Sequence, residues 1–139
     1  MANSETSYLR SIGLLVLFFI PFVGHSAAPP QVEPRITGKY SNMQYVPEAG
    51  DVVGYELRIV YTAVGLQGTL QVAEGVPGPL IIVDVVQNGS SVSFEIPGDT
   101  TFAGEFHGTV ANGWLNGEFR FKEGSKETVA LRKGKSYWD

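Results

Sequence analysis

The chain has 139 residues, a net charge of −4, 17 glycines, 8 prolines and no cysteine. That length holds one domain, and the acidic balance argues against a nucleic-acid-binding surface as its main business. Without cysteine there is no disulfide framework, thiolate metal site, catalytic thiol or acylated lipoprotein cysteine.

Residues 1–28 read as a cleaved signal peptide. Arg10 closes a short polar start, 12–20 is an apolar run broken by Gly13, and Pro21 ends its helix. Ser26 and Ala28 are the small residues that place cleavage after Ala28, with a cut after Ser26 the second choice. An uncleaved anchor is the alternative, but the run is short of the roughly 20 residues that span a bilayer. The other strong apolar run, 80–86, is interrupted by Asp84. The expectation is therefore an exported protein, periplasmic or secreted, with no transmembrane segment after signal cleavage. Export without cysteine suits a bacterial envelope better than a small eukaryotic secreted domain. The formal acceptor Asn88-Gly89-Ser90 reads better as a turn than as a glycosylation site.

Residues 29–35 form an extended arm, since Pro29, Pro30 and Pro34 remove donors and fix φ. Beyond it, short alternating runs punctuated by glycine predict strands at 36–43, 53–62, 67–73, 80–87, 91–96, 101–110, 114–121 and 127–133. Their number and spacing predict an all-β domain over 36–133, an antiparallel meander closing into a small barrel of about eight strands. A tail follows at 134–139.

Two Asn-Gly pairs predict hairpin turns. A turn at Asn88-Gly89 sets Val85 opposite Val92, Val83 opposite Phe94 and Ile81 opposite Ile96. The other face then pairs Val86 with Ser91, Asp84 with Ser93 and Ile82 with Glu95. A turn at Asn112-Gly113 sets Val110 opposite Leu115, Gly108 opposite Gly117 and Phe106 opposite Phe119. Its polar face pairs Thr109 with Asn116, His107 with Glu118 and Glu105 with Arg120, so opposite charges meet. A slip of one residue would bury Glu105 and Arg120. Gly104, Gly108 and Gly117 share the apolar face with Phe106, Phe119 and Phe121, which points to sharp curvature or close approach across the core.

Little in the sequence points to catalysis. His107 is the one histidine after residue 28. Beside Glu118 and diagonal to Glu105 it could be a general base, but no serine is placed near it by sequence, and a surface histidine among cross-strand charges is the simpler reading. No catalytic residue, metal ligand set or cofactor is expected. Glu48, Asp51 and Asp99 leave an oxygen-ligand calcium site open, without EF-hand spacing. The last 20 residues are mildly basic, with Arg120, Lys122, Lys126, Arg132, Lys133 and Lys135 against Glu123, Glu127 and Asp139. A solvated rim or an anionic partner would account for them. The first hairpin leaves Leu80, Ile82 and Val86 facing outwards. Trp114 stands at a hairpin tip, and Tyr137-Trp138 closes the chain. Leu80, Ile82, Val86, Trp114 and Trp138 are the candidate partner-binding residues, unless the arm or the tail packs over them.

Gly38-Lys39-Tyr40, Gly68-Thr69-Leu70, Phe102-Ala103-Gly104, Leu115-Asn116-Gly117-Glu118-Phe119 and Val129-Ala130-Leu131-Arg132 together give a pattern. It resembles the small calycin-like, lipocalin-type β-barrel modules of secreted bacterial proteins. In such barrels an opening Gly-x-Trp packs against an arginine of the final strand. The resemblance implies that Tyr40, in the tryptophan place, and Arg132 close one end. The layout of the arm before Gly38-Lys39-Tyr40 is also similar to periplasmic metalloprotease inhibitors, which typically carry a disulfide. The functional expectation is a non-catalytic exported binding module for a protein partner or a small apolar ligand. A protease inhibitor using the arm is the alternative.

Overall fold

The computed structural model describes residues 33–139; the expected signal peptide and residues 29–32 of the arm lie outside them. The described chain is built from nine antiparallel strands and no helix: β1 (Gly38–Ser41), β2 (Gln44–Val46), β3 (Asp51–Thr62), β4 (Gly65–Asp84), β5 (Val86–Asn88), β6 (Ser91–Ile96), β7 (Gly104–Ala111), β8 (Trp114–Phe121) and β9 (Lys126–Lys133). No helix among the described residues is long and apolar enough to cross a membrane. Strands β1 and β2 lie along one side of β3 and β4 along the other, and the sheet continues from β1 through β9, β8, β7, β6 and β5. First and last strands thus lie together: Tyr40 faces Lys133 and Ser41 faces Arg132.

The strand β4 doubles back on itself. Its first half pairs with β3 from Thr62↔Gly65 to Val52↔Gly75. The turn follows Gly75, whose φ of +91° only glycine adopts easily. The second half returns beside the first: Val85 N donates to Leu66 O at 3.0 Å, Gln67 Nε2 to Asp84 Oδ1 at 3.0 Å and Gln71 Nε2 to Gly78 O at 2.9 Å. Two separate strands around Pro77-Gly78-Pro79 are therefore present in one continuous element, and the sheet nearly closes into a barrel.

A single seam stays open, between the second half of β4 and β6. In the first hairpin Asn88 pairs with Ser91, so Gly89 and Ser90 form the turn, with φ +59° at Gly89. This is a correction to the expected Asn88-Gly89 turn: Val86 faces Ser93 and Gln87 faces Val92. The displacement is two residues, which leaves every side chain on its expected face. Ile81, Val83, Val85, Val92, Phe94 and Ile96 are buried, and Leu80, Ile82 and Val86 are exposed. Pairing with β6 stops at Val86, and the Val85 amide, directed to the other side of the strand, bonds to Leu66 O.

The second hairpin has the expected register, from Gly104↔Phe121 to Ala111↔Trp114. Asn112 and Gly113 carry φ of 51° and 78°, as a two-residue Asn-Gly turn requires. Strands β6 and β8 occupy the expected 91–96 and 114–121. Rings fill the barrel interior. Tyr55 stacks on Phe119 at 4.6 Å, Phe94 on Phe106 at 5.0 Å and Phe119 on Phe121 at 5.9 Å, while Phe106 tilts against Phe119 at 4.8 Å. These contacts add to the area term. A Cβ on Gly117 would stand 2.4 Å from Phe106 Cζ and 2.5 Å from His107 O, so the ring uses the space that glycine leaves.

Candidate functional site

Leu80, Ile82 and Val86 follow one another up the outer side of the seam at 65%, 58% and 62% exposure. Asp84 interrupts them and is tied down by Gln67. Across the seam stand Glu95 and Pro97, and the two walls enclose an open cleft of about 510 Å³ whose lining includes Ile82, Val86, His107 and Glu105. One wall is apolar, the other acidic.

Trp138 extends the apolar stripe, because the C-terminal tail folds over the outside of the barrel. Ser136 Oγ and Tyr137 N donate to the Glu56 carboxylate at 2.5 and 2.8 Å, and Asp139 pairs with Lys39. That pairing holds the Asp139 carboxyl below its usual range. Trp138 Nε1 then donates to Gln71 Oε1 at 2.9 Å, and its ring borders the same small cleft as Leu80. Four of the five candidate residues therefore lie along one stripe. Trp114 does not join them. It sits at the Asn112-Gly113 turn, opposite Ala111 and Arg132.

The ring of Tyr40 is fully buried and its hydroxyl donates to Ile36 O at 2.7 Å. Burial raises the Tyr40 hydroxyl above its ordinary value. The cation over this ring is Lys133, with Nζ 5.4 Å from the centroid. Arg132 lies on the exposed outer face opposite Ser41 and Trp114. Because neighbouring residues in a strand point to opposite faces, Arg132 cannot share the inward-facing side of Tyr40.

His107 sits in a row that crosses four strands: Ser93, His107, Glu118 and Thr128 are successive cross-strand partners. A serine does stand directly opposite the histidine, which the sequence reading missed because it assigned no β6–β7 register. No hydrogen bond joins Ser93 and His107; His107 Nε2 lies 3.4 Å from Glu105 Oε2 instead. Arg120 Nε donates to Glu118 Oε1 at 2.6 Å, and Arg120 Nη1 lies 3.7 Å from Glu105. The Arg120 hydrogen bond lowers the Glu118 carboxyl, and the same bond raises the guanidinium. Glu95 and Glu105 are also directly opposite each other, a repulsive placement that Arg120 offsets from the far side. A nucleophile here would need a base in contact and a pair of free backbone donors; the paired strands leave few. Among the described residues no group of three His, Asp or Glu side chains could hold a metal ion, and Glu48, Asp51 and Asp99 form no such cluster.

No family model, curated protein or solved structure matches this chain.

Proposed function

We propose that the protein is an exported, non-catalytic binding module of a bacterial envelope or secretome, calycin-like in architecture, whose partner is a protein lying along the open seam. The observation that carries this reading is the stripe of Leu80, Ile82 and Val86 beside a sheet edge that no strand covers. Contiguous exposed apolar groups favour partner surfaces, and an uncovered edge offers main-chain hydrogen bonds to an extended segment. A small apolar ligand inside the barrel is the weaker variant, since stacked rings occupy the interior where cargo would sit.

A photo-crosslinking residue at position 82 tests the proposal. In the native host it is expected to yield discrete protein adducts, whereas the same probe at Ser125, on a distant turn, yields none. Absence of adducts at 82 would remove the partner reading. Stoichiometric uptake of an apolar fluorophore by the folded protein would move the function to ligand carriage. Turnover lost in His107→Ala would establish an enzyme.

A further inference from the structure

A separate surface lies at one end of the barrel. The Ala63-Val64, Gly89-Ser90 and Asn112-Gly113 turns all fall there, and the chain enters the barrel there through Arg35 and the buried Ile36. Strand β9 leaves at the same end, with Lys133 N bonded to Gly113 O. We propose that this end docks on an anionic phospholipid surface.

Charge is segregated along the barrel axis. Arg35, Lys39, Arg58, Arg132, Lys133 and Lys135 lie in the half towards this end. At the opposite end Glu48, Asp99 and Glu123 stand in the connections and Asp51 opens β3, with Lys122 as the one cation in those connections. An acidic protein thus presents a basic face in one direction. Lys39 and Arg58 are direct cross-strand partners, an arrangement that costs stability unless an anion lies between them or nearby. Asp139 serves Lys39. Arg35, Arg58 and Lys133 make no ion pair among the described residues, and all three line one open cleft of about 680 Å³ with Val60 and Tyr61.

The apolar part is as unusual as the charge. The turn between β3 and β4 consists of Ala63 and Val64, with Gly65 taking the positive φ of +116° that follows it. Its Thr62 Oγ1 holds the turn by donating to Gly65 O at 3.0 Å, so the valine serves no visible local purpose. Val64 is 81% exposed and Tyr61 71% exposed. Trp114, at another turn of the same end, adds a second amphipathic ring. Tyrosine and tryptophan beside cations suit the headgroup layer of a bilayer, where rings enter the interface and each cation gains from anionic lipid. Inorganic phosphate or nucleic acid would engage the cations but leave Val64 and Tyr61 in water.

The absence of cysteine makes the test clean. An environment-sensitive fluorophore is placed on Val64→Cys in the full chain, and on Glu48→Cys at the opposite end as control. The apolar run at 12–20 is common to every variant, so differences between label positions and charge variants report docking of this end. With vesicles of phosphatidylglycerol and phosphatidylcholine, the label at 64 is expected to shift to the blue and the label at 48 to stay unchanged. Pure phosphatidylcholine vesicles, inorganic phosphate and duplex DNA should leave both unchanged. Arg35→Glu with Arg58→Glu should cut the response about tenfold or more, as should high salt acting on the unmutated pair. Equal unfolding midpoints would show that these exposed changes keep the fold. No shift at 64 on anionic vesicles, an equal shift on neutral ones, or a shift indifferent to both charge reversal and salt would overturn the proposal. So would an equal response to phosphate or to DNA.

Discussion

The two hairpins with Asn-Gly pairs at their tips are built differently. Strands β7 and β8 stay paired along their whole length, from Ala111↔Trp114 to Gly104↔Phe121. Strands β5 and β6 pair only from Asn88↔Ser91 to Val86↔Ser93, and then the chain departs towards the first half of β4. In the first case both faces supply specific partners: Phe106 meets Phe119 inside, while Glu105 meets Arg120 outside. In the second the inward pair sets Gln87 against Val92, and the outer face sets Val86 against Ser93. Cross-strand pairs contribute a few tenths to about 1 kcal/mol each. A hairpin with complementary pairs on both faces is held along its length, and one without them pairs only near its turn.

The largest break in the contrast is at Gly117. A Cβ there would stand 2.4 Å from Phe106 Cζ, 2.5 Å from His107 O and 2.8 Å from the Gly108 Cα, and two of these atoms are backbone. Gly117→Val should cost about 3 kcal/mol, the high side of overpacking, outweighing the β propensity that valine brings. Asn116→Val, on the outer face, should change stability by less than about 0.5 kcal/mol. Urea midpoints of the two variants measure the difference. A neutral Gly117→Val together with a harmful Asn116→Val would mean the two faces are inverted.

Those faces were legible in the sequence because strand alternation has period two. The register of β7–β8 was legible for a further reason: charges on its outer face penalise every other alignment near it. For β5–β6 neither constraint acts. A slip of two residues preserves both faces, and Asn-Gly and Gly-Ser are both acceptable two-residue turns. The neighbouring bond from Val85 to Leu66 joins positions 19 apart that no local pattern encodes. The stripe at Leu80, Ile82 and Val86 was readable from parity, while the position of Trp138 over Gln71 depends on tail contacts to Glu56. Ser93 beside His107 needed the β6–β7 register. At the Ala63-Val64 tip the turn signal is Gly65 alone, which takes the positive φ.

A smaller effect is expected at Tyr55, which ties the well-paired hairpin to β3. Its ring stacks on Phe119 and its hydroxyl donates to Glu127 Oε2 at 2.5 Å. Burial, and then the Glu127 carboxylate, raise the hydroxyl well above its ordinary value of 10.0. Above about pH 10 the unfolded chain releases the phenolic proton while the native state keeps it. The stabilisation is therefore whole below that pH and declines as pH rises towards the native-state value. Tyr55→Phe keeps the stack, loses the hydrogen bond at a cost of about 1 kcal/mol, and should flatten the alkaline fall in stability. Tyr40, also raised by burial, leaves part of the slope in place. An unchanged slope in denaturant midpoints between about pH 9 and pH 11 would remove Tyr55 from this role.

The smallest effect separates the two turns themselves. Asn112 has a φ of 51°, a left-handed conformation that asparagine tolerates and alanine resists. Asn88 lies outside that region and pairs with Ser91 as the last strand residue before its turn. Asn112→Ala should therefore lower stability by about 0.5–1 kcal/mol. Asn88→Ala, exposed and in extended backbone, should stay within about 0.5 kcal/mol of the parent. Thermal midpoints resolve the pair when both proteins are melted under one condition. Backbone conformation alone separates the two positions, because neither asparagine makes a side-chain hydrogen bond among the described residues. Equal losses at both positions would place Asn88 in the turn and return the first hairpin to the alignment with Val85 opposite Val92.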